Sequence, residues 1–181
     1  MALSLPLYGT TLVVGPSNVG KTRLTARALD AWVAENGPEG VVVLDFAPTV
    51  ERDGEILGGP LTQFTAIPDG AFHGVFDAHA PRSEGDDDAL ALADANATAA
   101  AERIDAAPPE PRAVFVNDAT IALQADGVAA GRLTDYCDRA DCAVVNAFES
   151  DELGTENPVS RNELAALDAL RAWADRVVEL P

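Results

Sequence analysis

Gly15-Pro16-Ser17-Asn18-Val19-Gly20-Lys21-Thr22 has the spacing G-x-x-x-x-G-K-[ST], and the residues on either side give that spacing its meaning. Thr10-Thr11-Leu12-Val13-Val14 precedes it, a β-branched apolar run that reads as a buried strand. Arg23 to Glu35 follows it without Pro or Gly. Leu24, Ala28, Leu29, Trp32 and Val33 form one stripe on that helix. Strand, glycine-bounded loop and helix suit an anion site. Gly15 and Gly20 let the backbone turn where a Cβ would collide with phosphate oxygens. Loop amides point inward, and the helix start adds partial positive charge.

The stretch resembles the Walker A loop of P-loop NTPases. The resemblance is firm over the first third of the chain and rests on pattern beyond it. It implies that Gly15, Pro16, Ser17, Asn18, Val19, Gly20, Lys21 and Thr22 bind the phosphates of ATP. Lys21 would reach the β and γ phosphates, and the Thr22 hydroxyl would ligate Mg²⁺. Lys21 is the only lysine in the chain, against eleven arginines. A position that keeps lysine in so lysine-poor a sequence agrees with a site needing a compact ammonium rather than a planar guanidinium.

A length of 181 residues suits one domain spanning 1–181, able to bury about 70% of its unfolded surface. Thirty acidic residues against twelve basic ones give a net charge of −18, which disfavours nucleic acid as a partner. The Asp-rich, Ala-rich, lysine-poor composition resembles that of proteins from salt-accumulating halophilic archaea. That resemblance implies a fold weakened at low salt. No apolar run approaches the roughly 18–20 residues of a membrane span. The N-terminus lacks a basic leader and runs into the loop-bearing strand, so a cytoplasmic location without membrane contact is expected. Cys137-x₄-Cys142, with His73 and His79 far away, has no usual zinc spacing and reads as two reduced cysteines.

Along the chain, strands are expected near 10–14, 40–46, 71–77, 113–118, 143–148 and 176–180. Helices are expected near 20–35, 86–106 and 127–140 and after Pro158. Ser160-Arg161-Asn162-Glu163 reads as a capping box for the last helix, with Leu164, Leu167, Leu170, Trp173 and Ala174 as its stripe. Asp86-Asp87-Asp88 suits a helix start. Gly54, Gly58, Gly59, Pro60 and Pro68 make 47–70 a region of loops and short turns. Alternating strands and helices predict a three-layer α/β sandwich with a mostly parallel sheet, the P-loop NTPase fold, with ligands at the carboxyl ends of the strands.

Two strand-end acids could complete the site. Asp118 ends Val114-Phe115-Val116-Asn117-Asp118, which resembles a Walker B strand and implies a Mg²⁺-binding carboxylate. Asp45 ends Val41-Val42-Val43-Leu44-Asp45. Val42–Pro48 followed by Val114–Thr120 resembles the RecA/KaiC-like layout, which implies that Asp45 or Glu51 orients water. No Glu-Glu pair follows the second strand, a departure that bears on hydrolysis. The segment from Val144-Val145-Asn146 through Gly154, Pro158 and Arg161 to Val177-Val178 is similar to adenosylcobinamide-kinase-like proteins, though the histidine context of that family is missing. Asn146 to Asp151 resembles a relaxed guanine-reading Asn-Lys-x-Asp without its lysine, and ranks GTP below ATP.

Three functions follow as expectations. The first is a Mg-ATP hydrolase using Lys21, Asp45 and Asp118. Its arginine finger would come from a protein partner or a second copy, because Arg52, Arg82 and Arg161 read as loop arginines. The second is a small-molecule or nucleotide kinase with its acceptor in 47–85, Asp45 as base, and His73, Asp77 or His79 near the substrate. The third is a non-hydrolysing nucleotide-binding module.

Overall fold

Apolar residues run almost unbroken along each central strand, so that side chains on both faces of the sheet are buried, the pattern of a parallel sheet covered on both sides. In this computed structural model, residues 3–49, 51–56, 59–78, 86–150 and 156–181 are described, with backbone only at 51–52, 55–56 and 86–87. The main elements are β1 (Gly9–Gly15), α1 (Lys21–Asn36), β2 (Val41–Asp45), β3 (Glu51–Arg52), β4 (Glu55–Ile56), β5 (Phe72–Val75), α2 (Asp86–Ala106), β6 (Ala113–Asn117), α3 (Gly131–Cys137), β7 (Cys142–Phe148), α4 (Pro158–Trp173) and β8 (Arg176–Glu179). Six strands form one sheet in the order β5-β2-β6-β7-β1-β8, and every pair in it is parallel. β3 and β4 form a separate antiparallel pair.

The two faces have separate cores. Val13, Val43, Phe115 and Val144 turn toward α1 and meet Leu24, Ala28, Leu29 and Trp32. Leu12, Val14, Leu44, Val116 and Val145 turn the other way and meet residues of α2, α3 and α4. The result is helix, sheet, helix, the three-layer arrangement expected. Each fully buried Val or Leu contributes about 1.5–3 kcal/mol relative to an exposed one. Cys137 and Cys142 are both buried as free thiols, and burial pushes the Cys142 thiol up to about 11.

Three local expectations change. The helix expected at 127–140 is shorter, 131–137, and a 3₁₀ turn at Ala119–Leu123 precedes it. α4 is not capped by Ser160. Asn157 is its N-cap, accepting from the Ser160 amide at 2.8 Å, with Pro158 at the first helical position. Glu163 turns into the protein, where Gln124 donates to it. Leu164 stands outside the buried stripe at 46% exposure, and Ala166 takes the inward position beside Leu167 and Leu170. Among the described residues, no helix is long and apolar enough to cross a membrane.

Candidate functional site

β1 delivers the chain to the sheet's carboxyl edge, and α1 leaves it six residues later. Gly15 has φ 155°, and a Cβ there would lie 2.7 Å from the Leu180 carbonyl oxygen and 3.1 Å from Val19 Cγ2. Gly20, at φ 100°, has open space around it; its requirement is conformational. Asn18 also turns left-handed, at φ 61°. No side chain caps α1, and its first turn carries no acid. The positive end of a 16-residue helix therefore faces the loop uncompensated by a side chain.

Lys21 is half-buried and folds back, its Nζ donating to the Pro16 carbonyl oxygen and lying 5.9 Å from the centre of the Phe148 ring. Burial holds the Lys21 ammonium below the usual lysine range, and the negative charge of Asp118 opposes that shift. An ammonium so placed, with one backbone acceptor, fits the exchange of a carbonyl for phosphate oxygens. Mg²⁺ takes most of its ligands from phosphate and water. Of the residues expected to hold it, Thr22 offers a hydroxyl and Asp118 a carboxylate, and among the described residues no group of three or more His, Cys, Asp or Glu could hold a metal.

The Thr22 hydroxyl is tied to Asn117 rather than to an acid, donating to its Oδ1 at 3.1 Å. Asn117 in turn donates to Asp45 Oδ1 at 2.9 Å and to the Gly59 carbonyl oxygen at 3.0 Å. Asn146 donates to Asn117 Oδ1 and to the Thr25 hydroxyl, both at 2.9 Å, and accepts from the Asp118 amide at 2.8 Å. Thr25 closes the circuit on the Lys21 carbonyl oxygen at 3.0 Å. Asp45, Asn117 and Asn146 thus form a polar row across three adjacent strands, each almost fully buried, joined to the first turn of α1. Every member gains a partner it needs away from water.

Asp118 is left-handed, φ 57° and ψ 59°, and its Oδ1 accepts from the Thr120 hydroxyl at 3.0 Å. Asp45 is 3% exposed, and its carboxylate also accepts from the Leu61 amide at 2.6 Å and the Ala47 amide at 3.4 Å. Burial pushes the Asp45 carboxyl up. The hydrogen bonds from Asn117, Leu61 and Ala47, and the charge of His73, pull it back. Burial holds His73 down, with Asp45 opposing, and its Nε2 is buried without a partner among the described residues. Through Asp45 and Gly59 the row also pins the 59–65 segment, whose Phe64 ring lies 5.1 Å from the Arg23 guanidinium on α1.

The structure thus brings Lys21, Thr22, Asp45 and Asp118 to one edge of the sheet, joined by two asparagines that sequence reasoning did not single out as a pair. Asp77 is exposed, and Arg161 donates to the Glu156 carbonyl oxygen at 2.6 Å. Both ends of the Asn146 amide are engaged inside the protein, so it does not face a base. His79, Arg82 and Asp151 lie outside the described residues, and the side chains of Glu51 and Arg52 are not described. No protein-family model matches the chain, and no curated protein matches it.

Proposed function

We propose that the chain is a P-loop nucleoside triphosphatase that binds Mg-ATP at Gly15–Thr22 and hydrolyses it. The observation that carries this reading is the uncapped, acid-free start of α1 behind a loop turned by Gly15, Asn18 and Gly20, with the only lysine folded over it. Such an end binds anions through backbone amides and partial charge. In this reading Lys21 leaves the Pro16 carbonyl for the β and γ phosphates. Thr22 and Asp118 hold Mg²⁺, and Asn117 fixes the Thr22 hydroxyl. Mg²⁺ would neutralise charge developing on the phosphoryl group. Asp45, locked by three donors, orients rather than carries protons. An arginine finger would come from a partner or a second copy.

One observation favours a second reading, an ATP-dependent kinase. The 59–65 segment is fixed to Asp45, Asn117 and α1 beside the loop, where a wall for an acceptor would stand. A single assay separates the readings. Thermal unfolding in molar KCl is compared with and without Mg-ATP, Mg-GTP and Mg-ADP, with phosphate release followed in the same samples. Stabilisation by ATP with phosphate release supports the hydrolase. Stabilisation without release moves the reading to a kinase or a binding module, and no stabilisation by any nucleotide removes it.

A further inference from the structure

The 3₁₀ turn at Leu61–Gln63 ends on Phe64, whose ring is 41% exposed. A lone apolar ring on the surface is ordinary. The backbone that carries this one, however, is held from both sides. Leu61 is fully buried in the core under α1, and its amide donates to Asp45. The Phe64 amide donates to the Leu61 carbonyl oxygen at 2.9 Å, and the Thr65 hydroxyl donates to Asp30 on α1. A rigidly carried aromatic ring thus stands at the carboxyl edge of the sheet.

The Arg23 guanidinium lies 5.1 Å from the centre of that ring. Arg23 is on the first turn of α1, so its backbone is only about 3 Å along the helix axis from that of Lys21. Arg27 follows one turn later, also exposed. Among the described residues neither arginine forms an ion pair or donates a hydrogen bond, in a chain with thirty acidic residues. Arg132 and Arg171, by contrast, are paired with carboxylates. The positive charge of the loop therefore continues along α1 as two cations with no acid paired to them, and an aromatic ring stands beside the first.

We infer that Phe64 and Arg23 form a stacking platform for the base of the nucleotide whose phosphates sit in the loop, and that the platform accepts either purine. It rests on the proposed triphosphate binding at Gly15–Thr22. A base stacks on an aromatic ring or a guanidinium plane whatever its edge groups, because every base has a π face. Both purines also present an N7 acceptor to a guanidinium. Asn146, which begins the segment resembling a guanine reader, has its amide engaged inside the protein. With the base held by its face, the preference for ATP over GTP expected from the sequence gives way to near-equal affinity.

The test is a calorimetric titration of the full chain in molar KCl with Mg-ATP, Mg-GTP and Mg-tripolyphosphate, the last carrying no base. Wild type is compared with Phe64→Ala and Phe64→Tyr, and circular dichroism confirms that each is folded. Wild type is expected to bind ATP and GTP within about fivefold of each other, as stacking without edge readout requires. Phe64→Ala is expected to weaken both by about tenfold, the loss of one base–aromatic stack. Its affinity for tripolyphosphate is expected to stay at the wild-type value, a pattern that a merely structural role for Phe64 would not give. Phe64→Tyr keeps the π face and is expected to bind all three probes as wild type does. Phe64→Leu, which keeps apolar bulk without the π face, carries the test if Phe64→Ala fails to fold. Unchanged nucleotide affinity in Phe64→Ala, an equal loss for tripolyphosphate, or ATP and GTP more than about fivefold apart in wild type overturns the platform and leaves the phosphate loop standing. No binding of any of the three probes by wild type removes the phosphate loop itself, and the platform with it.

Discussion

Asn117→Ala is the substitution that most directly loads the polar row. The side chain makes four hydrogen bonds: it accepts from Thr22 and Asn146 and donates to Asp45 and Gly59. Its loss leaves the Asp45 carboxylate, 3% exposed, and the Asn146 amide, 1% exposed, each short of a partner. A buried polar group left unpaired costs about 1–3 kcal/mol, more for a charged one. Water entering the space of the lost amide recovers part of this. The expected loss is about 3–5 kcal/mol, which lowers the midpoint of thermal unfolding by about 10 °C for a chain of this size. Urea unfolding followed by circular dichroism in molar KCl measures it, with the slope checked for constancy. Asn117→Asp adds a direction: an oxygen replaces the amino group facing Asp45, so the loss is expected to be large at neutral pH and to shrink as pH falls and carboxyls protonate. A loss below about 1 kcal/mol for Asn117→Ala, comparable with an ordinary surface substitution, would refute the claim that the row is a connected network.

Further predictions concern the cap, acid titration and salt. Asn157→Ala is expected to cost about 1 kcal/mol as the loss of an N-cap. Ser160→Ala, whose buried hydroxyl caps nothing and has no partner among the described residues, is expected to leave stability unchanged or raise it by about 1 kcal/mol; urea midpoints decide, and a larger loss at Ser160 than at Asn157 would restore the capping box. Asp45 has its folded pKa raised by burial, so its protonation favours the folded state and its contribution is lost as pH rises through that raised value. The stability of wild type relative to Asp45→Asn is therefore expected to grow as pH falls through the carboxylate range, and a gap that is flat or narrowing there refutes the sign. With a net charge of −18, the unfolding temperature is expected to rise from low to molar KCl as self-repulsion is screened. An unfolding temperature independent of salt would remove the halophilic reading.

The sheet was legible because its strands are buried on both faces. Val41–Leu44, Val114–Val116 and Cys142–Val145 are unbroken apolar runs that no exposed element could carry, and they became β2, β6 and β7 within a residue or two of expectation. The start and end of α1 were legible from Gly20 and Gly37. Ala119–Leu123 was not, since all five residues are buried and no polar face gives them a period. At α4 the sequence holds two competing starts, Ser160 with Glu163 and Asn157 with Pro158. Proline's fixed φ and missing amide favour the earlier one. The Asn117–Asn146 pair could not be read locally. Each looks like a polar residue near the end of an apolar strand, and only the strand order, with β7 between β6 and β1, shows that the two touch and that both reach α1.

The most direct test of the central claim is an equilibrium titration of wild type and Lys21→Ala with Mg-ATP in molar KCl, with circular dichroism confirming that both are folded. Lys21 is held in a partly desolvated site that lowers its pKa, so its removal should leave the fold at least as stable as wild type. Saturable binding is expected in wild type and is expected to be lost in Lys21→Ala. Equal affinity in both proteins, or no binding in either, would contradict the proposed site.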